Sequence, residues 1–410
     1  MDATFLTLIG VIVAVIAVIV TVAVGYWQVR TARHLAAQPG SVNAPPLAAQ
    51  SKEAIQQNIE ETLEQYVTTI DYDRLIGVEE QLGFIEGYLA DTNGAWIISL
   101  FGRGGIGKTS IAYEAVSRFA ASHDFRKVAW VTVPSYTQNE PEYSKTRKWA
   151  EVAKSLAEQF SVELRGPHTD WEAMVRQAIR KLPGKCLVVI NGIEENQEIA
   201  RRAFEFIGGN EPRNSIVNPH KVIITTRFSM KSLSQWITER EVPPLDFTHT
   251  CELIHHLSQG DEEILSYKDE DFRLIYAFTS GTPYLIKLVV GRLVQTGKSF
   301  NSIVADLRGQ GDIERYLFER GFAELARKFN RQDMPLALMK PFCQFPRDDS
   351  ISADDLYAIS DLKPDRTLFD EAMDYAVSLA LVTRSKRVRL DKPRLYSVHS
   401  LLRSYICGET

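Results

Sequence analysis

The chain has few cysteines, and none of them has the spacing of a zinc ribbon or a small disulfide framework. No C-x-x-C pair occurs, and the four cysteines are far apart in the sequence: Cys186, Cys251, Cys343 and Cys407. This pattern excludes a zinc-ribbon class. It predicts four separate buried thiols in a reducing compartment.

A strong net charge and internal repeats are also absent. The 47 basic and 52 acidic residues give a formal charge of −5, so the whole chain has no electrostatic attraction to nucleic acid. A local basic patch is compatible with this balance. No period of 20–50 residues recurs, which excludes a repeat array. With 410 residues, 45% of them hydrophobic, the chain is long enough for two or three domains with real cores.

One long run lacks charge altogether, because Phe5–Trp27 contains 23 residues without a charged side chain. That length spans a bilayer, and Tyr26 and Trp27 are typical interfacial residues. Arg30 and Arg33 follow the run, so the positive-inside rule predicts a single-pass membrane protein with its N-terminus outside and its C-terminal domains in the cytoplasm. A cleaved signal peptide is the competing interpretation, but the run is too long and no basic segment precedes it.

The most specific motif is an apolar strand that runs into Gly-x-x-x-x-Gly-Lys-Thr and then into a helix-forming segment. Strand, glycine loop and helix start in that order surround a polyphosphate with backbone N–H groups. Lys108 is predicted to reach the β- and γ-phosphates of ATP or ADP, and Thr109 to ligate Mg²⁺. The predicted nucleotide-binding loop is Gly102, Arg103, Gly104, Gly105, Ile106, Gly107, Lys108, Thr109 and Ser110.

Short apolar strands alternate with amphipathic helices over residues 72–245, which predicts an α/β P-loop NTPase fold: a parallel sheet with helices on both faces. The predicted strands are Trp96–Phe101, Val128–Val133, Cys186–Ile190, Val222–Thr226 and a weaker one near Val242.

Other patterns predict the remaining domains. Residues 1–34 form the transmembrane anchor, and residues 35–71 form a linker with an amphipathic helix for packing or self-association. Residues 246–311 form a small helical domain, and residues 312–410 form a winged-helix-like domain whose strand-like runs are Leu379–Thr383 and Arg394–Val398.

The strand that should supply an acid for Mg²⁺ ends without one. Cys186–Ile190 is followed by Asn191, which accepts a hydrogen bond but brings no negative charge and cannot act as a base. Glu194 and Glu195 follow closely and are the candidate catalytic acids, although acids at a helix start are equally expected there. A weak or absent ATPase activity is therefore predicted.

Arg227 ends the next buried strand, at the edge where open parallel sheets bind their ligands. At that place its guanidinium can reach a γ-phosphate. An ordinary surface arginine at a strand end is the alternative.

Taken in order, these motifs resemble the NB-ARC type of the STAND class of signalling ATPases, which is related to the AAA+ group. The resemblance covers about residues 72–408. The segments that carry it are Leu75–Glu79, Gly102–Ser110, Val128–Val131, Leu187–Asn191, Ile223–Arg227, Gly281–Leu285 and Tyr396–Leu402.

The resemblance implies roles for three residues. Pro283 would lie against the adenine, Arg227 would sense the γ-phosphate, and His399 would contact the β-phosphate of ADP and hold a closed form. The chain departs from the family pattern at Asn191 and Gly192, where acids are usual, and at Ser400, where aspartate is usual. These departures put hydrolysis and the strength of the ADP-bound closed form in question.

The leading hypothesis is a membrane-anchored switch in which nucleotide exchange controls opening and self-association through the nucleotide-binding domain, in defence or cell-death signalling. The sensor or activating partner is not identified by the sequence. One alternative is a membrane-tethered AAA+ motor or chaperone. The other is a DNA-binding winged helix that uses the basic residues Arg384, Lys386, Arg387, Arg389, Lys392 and Arg394.

Overall fold

Five parallel strands form the central sheet of the computed structural model. Their order in space is β2-β3-β4-β1-β5, with β1 and β4 side by side in the interior of the sheet. The predicted parallel sheet is confirmed. The strands are β1 (Ile97–Phe101), β2 (Phe125–Thr132), β3 (Lys185–Ile193), β4 (Lys221–Thr226) and β5 (Ile237–Glu241).

The structure describes the chain with gaps, and residues 50–410 form one compact unit. The described residues are 51–67, 70, 72–92, 94, 96–133, 142–193, 197–208, 216–217, 219–233, 237–258, 260–296, 300–307, 312–345, 350–385 and 394–408.

Helices cover both faces of the sheet, as the uninterrupted apolar strands require. One core cluster joins the sheet to α1, α2 and α3, and a second joins its other face to α4, α5 and α6. These helices are α1 (Lys52–Tyr66), α2 (Glu79–Ala90), α3 (Lys108–Phe119), α4 (Glu142–Gln159), α5 (Trp171–Arg180) and α6 (Gln197–Ile207).

The amphipathic helix α1 packs onto the nucleotide-binding sheet. Its side chains Ile55, Ile59 and Leu63 recur every four residues on one face and are buried. They belong to the same core cluster as Val128 and Trp130 of β2. The four-residue spacing therefore reflects packing within this unit.

The C-terminal part is mostly helical, with one small antiparallel sheet of order β6-β8-β7. Side-chain caps define several helix starts, including Asp312, which accepts a hydrogen bond from the Arg315 N–H, and Asp365, which accepts one from the Leu368 N–H. The elements are α7 (Phe247–Ser258), α8 (Glu262–Leu265), α9 (Asp269–Thr279), α10 (Pro283–Thr296), α11 (Phe300–Leu307), α12 (Ile313–Lys328), α13 (Met334–Met339), β6 (Ile351–Ser352), α14 (Ala353–Ile359), α15 (Arg366–Ser378), β7 (Thr383–Arg384), β8 (Leu395–Ser397) and α16 (Ser400–Cys407).

The helices after β5 and the small sheet share one hydrophobic core. It extends from Leu253 in α7 through Val289 in α10 to Phe369 in α15 and Leu402 in α16. Because these side chains form a single cluster, displacement of α16 would disturb packing well beyond its own turn. The domain boundaries drawn from the sequence remain predictions.

One predicted strand is shorter and later than the pattern indicated. Leu379–Thr383 was expected to be extended, but α15 runs to Ser378 and the strand β7 contains only Thr383 and Arg384. Leu379, Leu381 and Val382 are buried in the C-terminal core. Their apolar character therefore comes from a buried turn, which a pattern of hydrophobicity cannot distinguish from a strand.

The predicted membrane span Phe5–Trp27 lies outside the described residues. Within the residues that the structure does describe, no helix is long and apolar enough to cross a bilayer. The anchor and the orientation of the chain stay predictions.

The prediction of four separate thiols was wrong for two of them. Cys343 and Cys407 form a disulfide, with their Cα atoms 5.7 Å apart, although 64 residues separate them in sequence. The pairing arises because the end of α16 packs against the short 3₁₀ helix Lys340–Gln344. Cys186, which is buried, and Cys251 are free.

The disulfide should stabilise the C-terminal part measurably. Closing a loop of this length restricts the unfolded chain, so Cys407→Ser should lower the free energy of unfolding by roughly 2–4 kcal/mol. Thermal unfolding with and without reductant provides the measurement, and Cys251→Ser is the control that should show no change in sensitivity to reductant. An oxidised parent that melts at the same temperature as the reduced parent would contradict the expectation.

Candidate functional site

The predicted phosphate loop lies between the end of β1 and the start of α3. Gly107 precedes α3 with φ = 98°, a backbone conformation that favours glycine, and a Cβ added there would meet nothing within 4 Å. The backbone at Gly107 thus borders open space at the N-terminus of α3. This is the geometry of a helix N-terminus that binds an anion.

Lys108 points back across this loop. Its side chain is 7% exposed, and Nζ donates hydrogen bonds to the carbonyl oxygens of Gly102 at 2.8 Å and Arg103 at 2.9 Å. The ammonium group is therefore held over the first half of the loop. That position suits a group that binds the outer phosphates of a nucleotide.

Asn191 is the centre of a hydrogen-bond network at the adjoining strand ends. Its Oδ1 accepts from Thr109 Oγ1 and from Thr225 Oγ1, both at 2.8 Å, and the Thr225 hydroxyl oxygen accepts from the Gly192 N–H. The Asn191 Nδ2 group makes a longer contact of 3.4 Å with Thr132 Oγ1. Hydroxyl groups from three other elements, α3, β4 and β2, thus surround the side chain of Asn191, a residue that is 4% exposed.

The network fits a Mg²⁺ ion bound through Thr109. Since the Thr109 hydroxyl donates its proton to Asn191, its oxygen lone pairs remain to face a cation. Magnesium usually keeps several waters and relies on one or two carboxylates plus substrate phosphates. Asn191 supplies no such charge, so the phosphates would provide most of it.

Residues from the C-terminal part close over the loop. The Tyr284 N–H donates to the Gly105 carbonyl oxygen at 3.3 Å, and the Tyr284 ring stacks on His399 with centroids 3.8 Å apart. Leu401 packs on the loop itself, because a Cβ added to Gly104 would lie 2.9 Å from Leu401 Cδ2. We call Tyr284, His399 and Leu401 the P-loop cover.

His399 also begins α16 as its N-cap. Its Nδ1 accepts a hydrogen bond from the Leu401 N–H at 3.2 Å. In the neutral imidazole the proton must then be on Nε2, which is a donor. A histidine in this tautomer has a hydrogen-bond donor on Nε2 without carrying a positive charge.

Arg227 approaches the same loop. It directly follows β4, and its backbone N–H donates to the Ile193 carbonyl oxygen at 3.2 Å. The guanidinium approaches the loop backbone, because a Cβ added to Gly104 would lie 3.5 Å from Arg227 Cζ. Arg227 and Leu401 therefore converge on Gly104.

A cavity of about 210 Å³ adjoins the second half of the loop, and its lining also includes apolar side chains suited to a base. These side chains include Ile76, Val78 and Leu253. Of the residues predicted from the sequence, the cavity brings together Gly105, Ile106, Gly107, Lys108, Thr109, Ser110, Asn191, Pro283 and His399.

Four predicted residues do not line this cavity: Gly102, Arg103, Gly104 and Arg227. Gly102, Arg103 and Gly104 form the first half of the loop, and Arg227 and Leu401 both approach Gly104. The proposed acids Glu194 and Glu195 fall outside the described residues, so their catalytic role stays a prediction. Pro283 is the first residue of α10 and lines the cavity, and its contact with the adenine stays a prediction.

Sequence reasoning missed the roles of Thr225, Tyr284 and Leu401. All three lie within two residues, in the sequence, of a residue that a motif identified. A motif assigns a role only to the residues that define it, so their neighbours received none. For Thr225 a signal existed, because a polar residue near the end of an otherwise apolar buried strand needs a hydrogen-bond partner. The contacts of Tyr284 and Leu401 depend on distant elements and left no local signal.

Residues 78–244 match the NB-ARC domain family. Among curated proteins, the chain is similar to the probable disease resistance protein At1g58390 of Arabidopsis thaliana, with 29% identity over 87 residues, and to the disease resistance protein RPP8 of the same plant, with 25% identity over 161 residues. The match supports an NB-ARC-type nucleotide-binding domain. The resemblance predicted from the motifs is confirmed over this range.

These similarities are partial. The two alignments cover 21% and 38% of this chain but only 9% and 16% of the plant proteins. Among solved structures, a STAND protein with a tetratricopeptide repeat sensor from Pyrococcus horikoshii aligns over 83% of this chain and 43% of its own, with 16% identity and a TM-score of 0.49.

Replacing the central amide by an acid tests the metal site. Asn191→Asp keeps the acceptor for Thr109 and Thr225 and adds the missing charge, so Mg²⁺ should tighten ATP binding by roughly 3- to 10-fold more than in the parent. Titration of ATP in Mg²⁺ and in EDTA measures this. Asn330→Asp makes the same chemical change at an exposed turn and should behave as the parent. An equal effect of Mg²⁺ on the Asn191→Asp variant and the parent would contradict this account.

Proposed function

We propose that this chain is a membrane-anchored signalling switch of the STAND type that binds ATP and ADP, and that nucleotide exchange controls its opening and self-association. The NB-ARC match over residues 78–244 supports nucleotide binding. The observation that carries the proposal is the P-loop cover, through which the C-terminal part of the chain contacts the phosphate loop.

For nucleotide exchange to open the protein, ATP and ADP must differ in their relative affinities for the open and the closed form. A ligand that binds both forms equally shifts no population, however tightly it binds. His399 supplies a direct link, because its Nε2 donor can bind an inner phosphate of ADP while its Nδ1 holds the start of α16. The hydrogen bond between Tyr284 and Gly105 couples the helical region to the same loop.

Slow or absent hydrolysis suits such a switch. The oxygen of Asn191 is already an acceptor for two threonine hydroxyls, and its amide cannot remove a proton from water. We infer that exchange and binding partners, more than turnover, set the nucleotide state. This distinguishes the proposal from an AAA+ motor, which requires steady hydrolysis.

The output is proposed to be clustering of the segment Phe5–Trp27 in a membrane. Self-association through the nucleotide-binding domains would bring several such segments together, where they either perturb the bilayer or gather a partner. The similar plant proteins are named as disease resistance proteins, and this supports a role in defence signalling. The proposal also includes an activating sensor or partner, which the residues described here do not identify.

Removal of the loop ammonium tests the switch. Lys108→Ala should abolish ATP-induced oligomerisation of the purified full chain, because Lys108 is the group placed to bind the outer phosphates. Light scattering after size-exclusion chromatography, with and without ATP, measures the oligomer. Lys340→Ala replaces an exposed lysine elsewhere and should leave assembly unchanged. ATP-dependent assembly of Lys108→Ala equal to that of the parent would exclude the proposed switch.

A further inference from the structure

The disulfide between Cys343 and Cys407 fastens the last residue of α16 to the short 3₁₀ helix that precedes β6. Both cysteines are half-buried, and the residues that follow them, Gln344 and Gly408, are exposed. The bond therefore lies at the edge of the C-terminal core, where a small dithiol can reach it. This position suits a disulfide that is broken and re-formed in the folded protein.

Non-covalent contacts hold the middle of α16 independently of the disulfide. Arg403 Nη2 donates a hydrogen bond to the Phe345 carbonyl oxygen at 2.6 Å. The Tyr405 ring packs on Phe318 and Phe322 of α12, with ring centroids 5.6 and 5.8 Å apart. Because these contacts do not involve sulfur, we expect the C-terminal core to persist when the disulfide is reduced. What is lost is the covalent restraint on local opening of α16.

The opposite end of α16 lies at the nucleotide-binding site. A Cβ added to Gly104 would lie 2.9 Å from Leu401 Cδ2, and His399 and Ser400 line the cavity beside the loop. The helix has only eight residues and is about 12 Å long. The covalent restraint at Cys407 therefore acts about two helical turns away from the residues that contact the site.

We propose that the Cys343–Cys407 disulfide is a redox-sensitive restraint on nucleotide binding, and that the disulfide form binds ADP more tightly than the dithiol form. A thiolate of a dithiol donor attacks one of the two sulfurs, and the second thiol of the donor resolves the mixed disulfide. Two electrons and two protons pass to Cys343 and Cys407, while the donor becomes a disulfide. The role rests on the proposed function, because it assumes that the loop binds nucleotide, and it adds a chemical control that nucleotide exchange does not contain.

The proposed location of these domains, on the cytoplasmic side of a membrane, fits a disulfide of this kind. Disulfides that form in reducing compartments are usually transient, catalytic or redox-sensing. In the disulfide form α16 opens only as far as its covalent attachment allows. In the dithiol form local opening of α16 takes the contacts of His399 and Leu401 with it, at a free energy below that of global unfolding, and ADP dissociates more readily.

The coupling must act in both directions. If reduction weakens ADP binding by a given factor, bound ADP must shift the thiol–disulfide equilibrium towards the disulfide by the same factor. A more strongly reducing dithiol buffer is then needed to break the bond when ADP is present. A disulfide that only stabilises the C-terminal core, with no connection to the site, shows no such dependence on ADP.

Isothermal titration calorimetry on the full chain, oxidised and reduced by dithiothreitol, gives the two dissociation constants for ADP. Reduction should weaken ADP binding by roughly 5-fold or more, and saturating ADP should shift the dithiol-to-disulfide ratio of the buffer at half-reduction by the same factor. Counting thiols in denaturant identifies the two forms, because two of the four cysteines are free in the oxidised chain. Cys407→Ser should bind ADP as the reduced parent does and should not respond to dithiothreitol.

Two variants separate the restraint from general loosening. Cys251→Ser removes a cysteine that forms no disulfide and should keep the full response to reduction. Asp365→Ala removes the side-chain cap of α15 in the same core, so it should lower the melting temperature while changing ADP affinity by less than about twofold.

Three results would overturn the inference. If the oxidised and the reduced parent, with two and four thiols, bind ADP equally, the disulfide is not coupled to the site and the proposed switch stands. Four thiols after equilibration with oxidised glutathione would show that the bond does not form, and would also leave the switch standing. If neither form of the parent binds ADP, the inference and the proposed function fail together.

Discussion

The parallel pairing of β1 with β4, and of β4 with β3, is the constraint on which the site depends. In this register Phe101 pairs with Thr226, and Ile190 pairs with Ile224, so the three strands end at one edge of the sheet. The phosphate loop follows the first of these ends, Asn191 belongs to the second, and Arg227 follows the third. A shift of one residue in any pair would turn alternate side chains to the opposite face and separate these groups.

The phosphate loop is contacted by the C-terminal part of the chain as well as by the sheet. Its glycines allow close approach of other backbone and side chains, and the C-terminal part uses that access through Tyr284 and Leu401. Because the helices after β5 and the small sheet share one core, the contacts at Gly104 and Gly105 are mechanically connected to α12, α15 and α16. The binding of a few phosphate oxygens can therefore act on a large part of the chain, provided that the two nucleotides differ in their contacts there.

The sequence predicted most of the nucleotide-binding part because its signals are local. An apolar strand, a glycine loop and a helix start are read within one short stretch, and Lys108 and Thr109 lie where that pattern placed them. The disulfide between Cys343 and Cys407 was not predictable in this way, since nothing in the spacing of distant cysteines reveals which helices meet. Leu379–Thr383 shows the same limit at shorter range, because burial in a turn and burial in a strand select the same residue types. The contact of Leu401 with the loop depends on the fold, which brings it to Gly104.

The most direct test of the central claim is the identity of the nucleotide that the full chain retains during purification. Denaturing the protein and separating the released ligand by chromatography answers this without any assumption about activity. The account predicts ADP, because the proposed switch holds the diphosphate while the P-loop cover contacts the loop at Gly104 and Gly105. Retained ATP under the same cover would contradict it.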